Sequence, residues 1–452
     1  MTVTGLLPRP DVLPPRPWSF PQPQRTQLAN GLTVIGYDLP GKKIAAVRLL
    51  LNVAPWHESP GSEGVAALAL QALDEGTTQY DAYAFASARD LLGASYRTSC
   101  DANGGSVQLE VPVSRLHTAL DLLAAAVTEP TFPEAAVARL IAQRCDAIVS
   151  ERANPASRAA IEVLAALYPP GSRRTVPPGG NIASVRGLSR DVVSSFYRDH
   201  AAAANSTLII AGDLQHIDIA ELAERSLGGW AGDGHAPLSD GADDMIAGPC
   251  VVVVDRPGSV QTNLALALPS VSLRDPDLPA LQVAAYVLGG GLESRLMTVL
   301  REEKGYTYGI HAAPIAERRD GRIAISGAVQ TEVTAPAVED LLGILQTLVR
   351  DGITDNERDG AVEQLAGRAP LSYERPAAVA NMATVIAANE LPANYVDATR
   401  DALRGSTPES VNRAIASRAG FDSPVLVAVG DGAVITGPLQ SCGLGDVTVI
   451  DA

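Results

Sequence analysis

Hydrophobic spacing along the chain alternates between two periods. Apolar residues at every second position mark strands, and apolar residues three and four apart mark helices. An Asn-Gly turn at Asn30-Gly31 followed by alternating residues predicts a strand ending at residue 38, and residues 43–53 predict a second. Residues 64–77, GVAALALQALDEGT, are rich in Ala and Leu and predict a helix that stops at Gly76. A helix over 82–92 follows, ending at Gly93. Strands at 96–100 and 106–111 flank a turn at Asn103-Gly104-Gly105, and an amphipathic helix covers 114–127. Past Pro130 and Pro133 a long helix runs over 134–152. Another occupies 188–199, and a strand at 206–211 closes on Gly212-Asp213.

The second half repeats this order. Residues 251–255 correspond to the strand before Asp38, 262–268 to 45–51, 337–348 to the helix around Leu122, and 425–430 to 208–212. The offset is about 217 residues throughout. A duplicated β-α-α-β-β-α-α-β unit predicts an α+β chain of two homologous sandwich domains related by a pseudo-two-fold. The expected division is a proline-rich arm at 1–26, a first domain at 27–228, a Gly- and Asp-rich linker at 229–249 and a second domain at 250–452. The arm holds seven prolines between Pro8 and Pro23, which favour an extended conformation.

Composition narrows the picture. Aromatic residues are 4% of the 452, so alanine, leucine and valine must fill the cores. A net charge of -16 disfavours nucleic acid and anionic membranes as partners and is compatible with basic peptides. Cys100, Cys145, Cys250 and Cys442 form no Cys-x-x-Cys pair, which suits free thiols in a reducing compartment. With no apolar run of the ~20 residues a span needs and no apolar leader core, a cytoplasmic location is expected.

The 64–77 stretch carries the chemistry. Its frame, Gly64 at one end and Gly76-Thr77 at the other, resembles the G-x-x-H-x-x-E-H-x-x-x-x-G-T frame of the pitrilysin/insulinase-type (inverzincin) zinc metallopeptidases. Ala67, Leu70 and Gln71 stand where that family has His, Glu and His. Alanine and leucine offer no lone pair, and an amide is a poor zinc ligand. The family's third ligand is a Glu 75–80 residues on, and Glu151 lies 80 beyond Gln71. One carboxylate does not hold zinc. The six histidines are scattered, with no H-x-x-x-H spacing, so no metal is expected in this chain.

The resemblance extends from Gln27 to about Gly432. It includes LANGLTV, the YRDHAAAANSTLIIAGD segment, the repeat, and REEKGYTY. In the last of these, Arg301 and Tyr308 resemble the family's C-terminal Arg/Tyr pair, which implies binding of a substrate backbone. The three glycines at 289–291 open a helix expected over 293–303. Without G-K-[ST] they read as a close turn rather than a phosphate loop. The resemblance implies a non-catalytic subunit of a heterodimeric zinc endopeptidase like the mitochondrial processing peptidase. Zinc would then sit in a zinc-motif-bearing partner, and a peptide substrate would lie in an enclosed chamber. The alternative is a structural or peptide-binding subunit, like the core subunits of respiratory complexes, with no role in proteolysis. A hydrolase built on Cys100 beside Asp101 has no local histidine to activate it.

Overall fold

A computed structural model describes residues 16–231, 245, 248–421 and 423–452. The first sheet contains β1 (Gln24–Gln27), β2 (Thr33–Asp38), β3 (Ile44–Leu51), β4 (Ser95–Asp101), β5 (Gly104–Pro112) and β6 (Thr207–Gly212), in the order β1-β2-β6-β3-β5-β4. The second contains β7 (Cys250–Asp255), β8 (Gln261–Ser270), β9 (Thr307–Ala316), β10 (Gly321–Gln330), β11 (Val425–Gly430) and β12 (Val447–Asp451), in the order β12-β7-β11-β8-β10-β9. The duplication is visible in the register. β2 runs parallel to β6 with Thr33 opposite Thr207, and β7 runs parallel to β11 with Cys250 opposite Val425. The sheets differ at one edge, where β1 pairs antiparallel and β12, from the far end of the chain, pairs parallel. Each half buries its own apolar core between sheet and helices, with Leu49, Leu70 and Leu109 in one and Leu266, Leu281 and Leu341 in the other. The chain is therefore α+β with two like domains.

The halves also exchange helices. Pro155–Leu167 lays Ala159, Val163 and Leu167 on β8 and β11 of the second sheet. Pro376–Ala388 lays Val379, Ala380 and Ala383 on β3 and β6 of the first. Pro155–Leu167 is not among the helices expected above, although Asn154 caps it and Ala159, Val163 and Leu167 recur every four residues; what its sequence does not reveal is that this face answers the distant sheet. Arg48, buried in β3, donates from Nε to Asn381 Oδ1 at 2.8 Å and ties the exchange together.

Three expectations are corrected in detail. The arm ends at Pro23, since β1 begins at Gln24. Within its described part, Phe20 is buried between Tyr37 and Tyr373, with ring centroids at 5.7 and 5.0 Å. Trp18 stacks on Tyr373, and Arg400 donates to the Trp18 carbonyl at 2.6 Å. The rest of the arm, residues 1–15, and most of the linker at 229–249 lie outside the described residues. The helix starting at Val65 ends at Gln71, so Gly76 is not its stop. A Cβ on Gly76 would stand 2.7 Å from Pro133 Cγ, so glycine is there for close approach. The 289–291 glycines also serve packing, since a Cβ on Gly289 would stand 2.6 Å from the Ala312 nitrogen. The turns after them form a π-helix, Met297–Glu303.

Candidate site: a cleft at the degenerate zinc motif

The helix Val65–Gln71 is placed by a buried clamp. Glu58, with no side-chain exposure, accepts the N–H groups of Gly64 at 3.1 Å and Ala66 at 3.0 Å. These are orphan donors of a helix N-terminus, where a carboxylate is favoured. The other Glu58 oxygen receives Arg173 Nε at 2.8 Å and Nη2 at 2.6 Å. Burial raises the Glu58 carboxyl above its ordinary range, against the pull of Arg173. Gly64 has φ 99° and lies so close to the 177–180 loop that a Cβ would stand 2.8 Å from the Gly179 oxygen. The frame glycine is therefore retained for geometry that outlives the ligands.

The structure brings together all four degenerate positions. Ala67, Leu70, Gln71 and Glu151 line one cleft of about 400 Å³, with β4 on one wall and residues 177–179 on another. Leu70 is 1% exposed and occupies the space over Gly105, where a Cβ would meet its Cδ1 at 2.6 Å. Gln71 is exposed. Glu151, on the helix Glu134–Ala153, is held in a two-pronged pair by Arg144, at 2.6 Å to Oε1 and 2.9 Å to Oε2. Arg144 was not among the residues expected from the sequence. Its signal was available, because seven residues is two turns and places it on the face of Glu151. Cys100 also lines the cleft. Burial, then the nearby carboxylates Glu58 and Asp101, push its thiol well up, which removes the thiolate a nucleophile requires.

Arg301 and Tyr308 stand elsewhere, outside the lining of this cleft. Tyr308 is 93% exposed on β9, at the open edge of the second sheet. The β9–β10 register slips there, with Gly327 opposite Ile310 but Val329 opposite Thr307, so the strand bulges at Tyr308. Thr307 Oγ1 bridges to the Ala328 carbonyl at 2.6 Å and stabilises the bulge. Arg301 lies in the last turn of the π-helix, and its Nε lies 3.4 Å from Glu302 on the surface. Of the histidines, His57 and His200 come together as stacked rings 4.7 Å apart. Among the described residues, no group of three His, Cys, Asp or Glu side chains is placed to hold a metal ion.

Two domain models of one peptidase family match the chain in sequence: insulinase (peptidase family M16) over residues 33–166, and the peptidase M16 inactive domain over 187–365. The chain belongs to the insulinase family. It is a homologue without that family's catalytic motif, and in that sense a non-catalytic member. An uncharacterized zinc protease from Mycobacterium tuberculosis is 26% identical over 364 residues, covering 78% of this chain and 80% of the relative. One from Bacillus subtilis is 21% identical over 355 residues, covering 78% and 84%. A solved structure described as the peptidase M16 inactive domain from Pseudomonas fluorescens superposes with a TM-score of 0.82 at 24% identity, over 90% of this chain and 97% of that one. A protease from Helicobacter pylori superposes at 0.84 with 16% identity, over 91% and 100%. These two share the fold.

Zinc, which the family implies, does not fit the residues present. Of the four positions in the cleft one is a methyl, one an isobutyl group and one an amide. The remaining carboxylate has both oxygens turned to a guanidinium. No helix among the described residues is long and apolar enough to cross a membrane.

Proposed function

We propose that this chain is the non-catalytic, substrate-binding subunit of a heterodimeric zinc metalloendopeptidase. The partner is an insulinase-family homologue that carries H-x-x-E-H and supplies the zinc and the general base. This chain contributes Arg301 and Tyr308 to the wall of the shared chamber. The observation that carries the reading is a cleft whose scaffold is maintained by Glu58, Gly64 and Gly179 while its ligand positions are two apolar side chains, an amide and a carboxylate held by Arg144. The bulge that turns Tyr308 outward on an open edge supports it, since a phenol exposed on one chain is available to a peptide held between two. The test is co-expression with a zinc-motif homologue. The purified pair should cleave peptides and either chain alone should not. A partner that cleaves at the same rate by itself would overturn the proposal.

The ion pair between Arg301 and its neighbour Glu302 favours a second reading, a structural or peptide-binding subunit with no part in proteolysis. In that case Arg301→Ala and Tyr308→Phe leave the function of the assembly unchanged.

A further inference from the structure

The cleft contains a cation that neither the motif nor the family comparison assigns. Arg144 is fixed at three points: its Nη1 and Nη2 on the two Glu151 oxygens, and its Nε on the Gly179 carbonyl at 2.9 Å. Its side chain is 14% exposed. Gly179 is shaped to it, because a Cβ there would stand 2.6 Å from Nε. A guanidinium stays protonated at any pH the protein meets, and its fork matches a carboxylate edge to edge. A carboxylate that ligates a metal must instead turn a lone pair to it.

We propose that the Arg144 guanidinium is the resident cation of this cleft. It takes the carboxylate that a zinc ion would otherwise claim, and it supplies the positive charge in the ion's stead. The metal-free state is then set twice, once by Ala67, Leu70 and Gln71 and again by Arg144. Returning the two imidazoles is insufficient, because Glu151 is already engaged and a divalent ion would enter beside a fixed positive charge. The inference rests on the cleft alone and stands whether or not the chain is a peptidase subunit.

The experiment uses the full chain with Ala67→His and Gln71→His, and the same pair combined with Arg144→Gln or Arg144→Lys. Zinc affinity is read by competition with a chromophoric chelator, and coordination by the visible absorption of bound cobalt(II). The triple variant with Arg144→Gln should bind zinc about 100-fold more tightly than the double variant, the upper end of what outer-shell groups contribute to metal affinity, and should give a tetrahedral cobalt spectrum. The Arg144→Lys triple should remain as weak as the double variant, because the positive charge is kept. Equal affinity in the double variant and the Arg144→Gln triple would overturn the proposal, as would failure of the Arg144→Gln triple to bind at all. Should Arg144→Gln prevent folding, the double variant still decides. Tight zinc binding with Arg144 in place refutes it.

Discussion

Leu70→Glu puts back the residue that serves as general base in the active relatives, and the structure specifies what that costs here. Leu70 is 1% exposed and packed over Gly105, and Arg144 is committed to Glu151 and Gly179. The new carboxyl therefore enters an apolar site without a partner. Loss of the leucine's burial costs about 1.5–3 kcal/mol. A buried carboxyl avoids ionising by raising its pKa. Holding it neutral costs about 1.4 kcal/mol for each pH unit above its usual ~4.3, which is about 1 kcal/mol at pH 5 and about 3.7 at pH 7. The signature is the difference, about 2.7 kcal/mol between the two pH values. In melting temperature that is about 3 °C if the whole chain unfolds as one unit, or about 6 °C if the first half melts by itself. The assay is calorimetry of wild type, Leu70→Glu and Leu70→Gln at both pH values. The glutamine variant should be destabilised without the added pH dependence. Equal pH dependence in the two variants would refute the reasoning, by showing that water or Arg144 reaches position 70.

Three further outcomes follow from other parts of the molecule. On the proposed function, in which these side chains donate to the peptide carbonyl, Arg301→Ala or Tyr308→Phe should lower the cleavage rate of the co-expressed pair by about 10²–10³-fold, while stability moves by less than about 0.5 kcal/mol. Stopped-time cleavage assays and melting curves on the same samples separate the two. Phe20→Ala should cost about 3–5 kcal/mol, the range for a fully buried ring, and should release the arm. Faster proteolysis near residue 20, with the rest of the chain intact, is the observation to seek. Burial raises the Asp320 carboxyl above its ordinary 3.8, although Arg174 Nη1 lies 3.0 Å away and pulls the other way. A raised pKa gives stability that is complete below the ordinary value and is lost as pH rises through the raised one. The melting temperature of wild type should therefore fall relative to Asp320→Asn as pH rises above the ordinary carboxyl range, and a constant gap would exclude the effect.

Much of this protein is determined by the sequence alone. Several strands and helices that pack on their own half announce themselves by local period, as with Ala82–Leu92, which ends at a left-handed Gly93. The offset of about 217 residues between halves implies the duplicated sheets. Ala67, Leu70 and Gln71 exclude the ligand set without any coordinates, because side-chain chemistry does not depend on the fold. Tertiary structure decided the rest. Only the folded chain shows that Pro155–Leu167 and Pro376–Ala388 are exchanged between halves, since their apolar faces answer sheets far away in sequence. Only it shows that Gly76 and Gly289 serve close approach, as a steric demand is made by whatever lies opposite. It also put Arg144 on Glu151. Two residues seven apart on a helix share a face, but whether they meet each other, water or a metal depends on what the surrounding loop encloses, here Gly179 and the wall of β4.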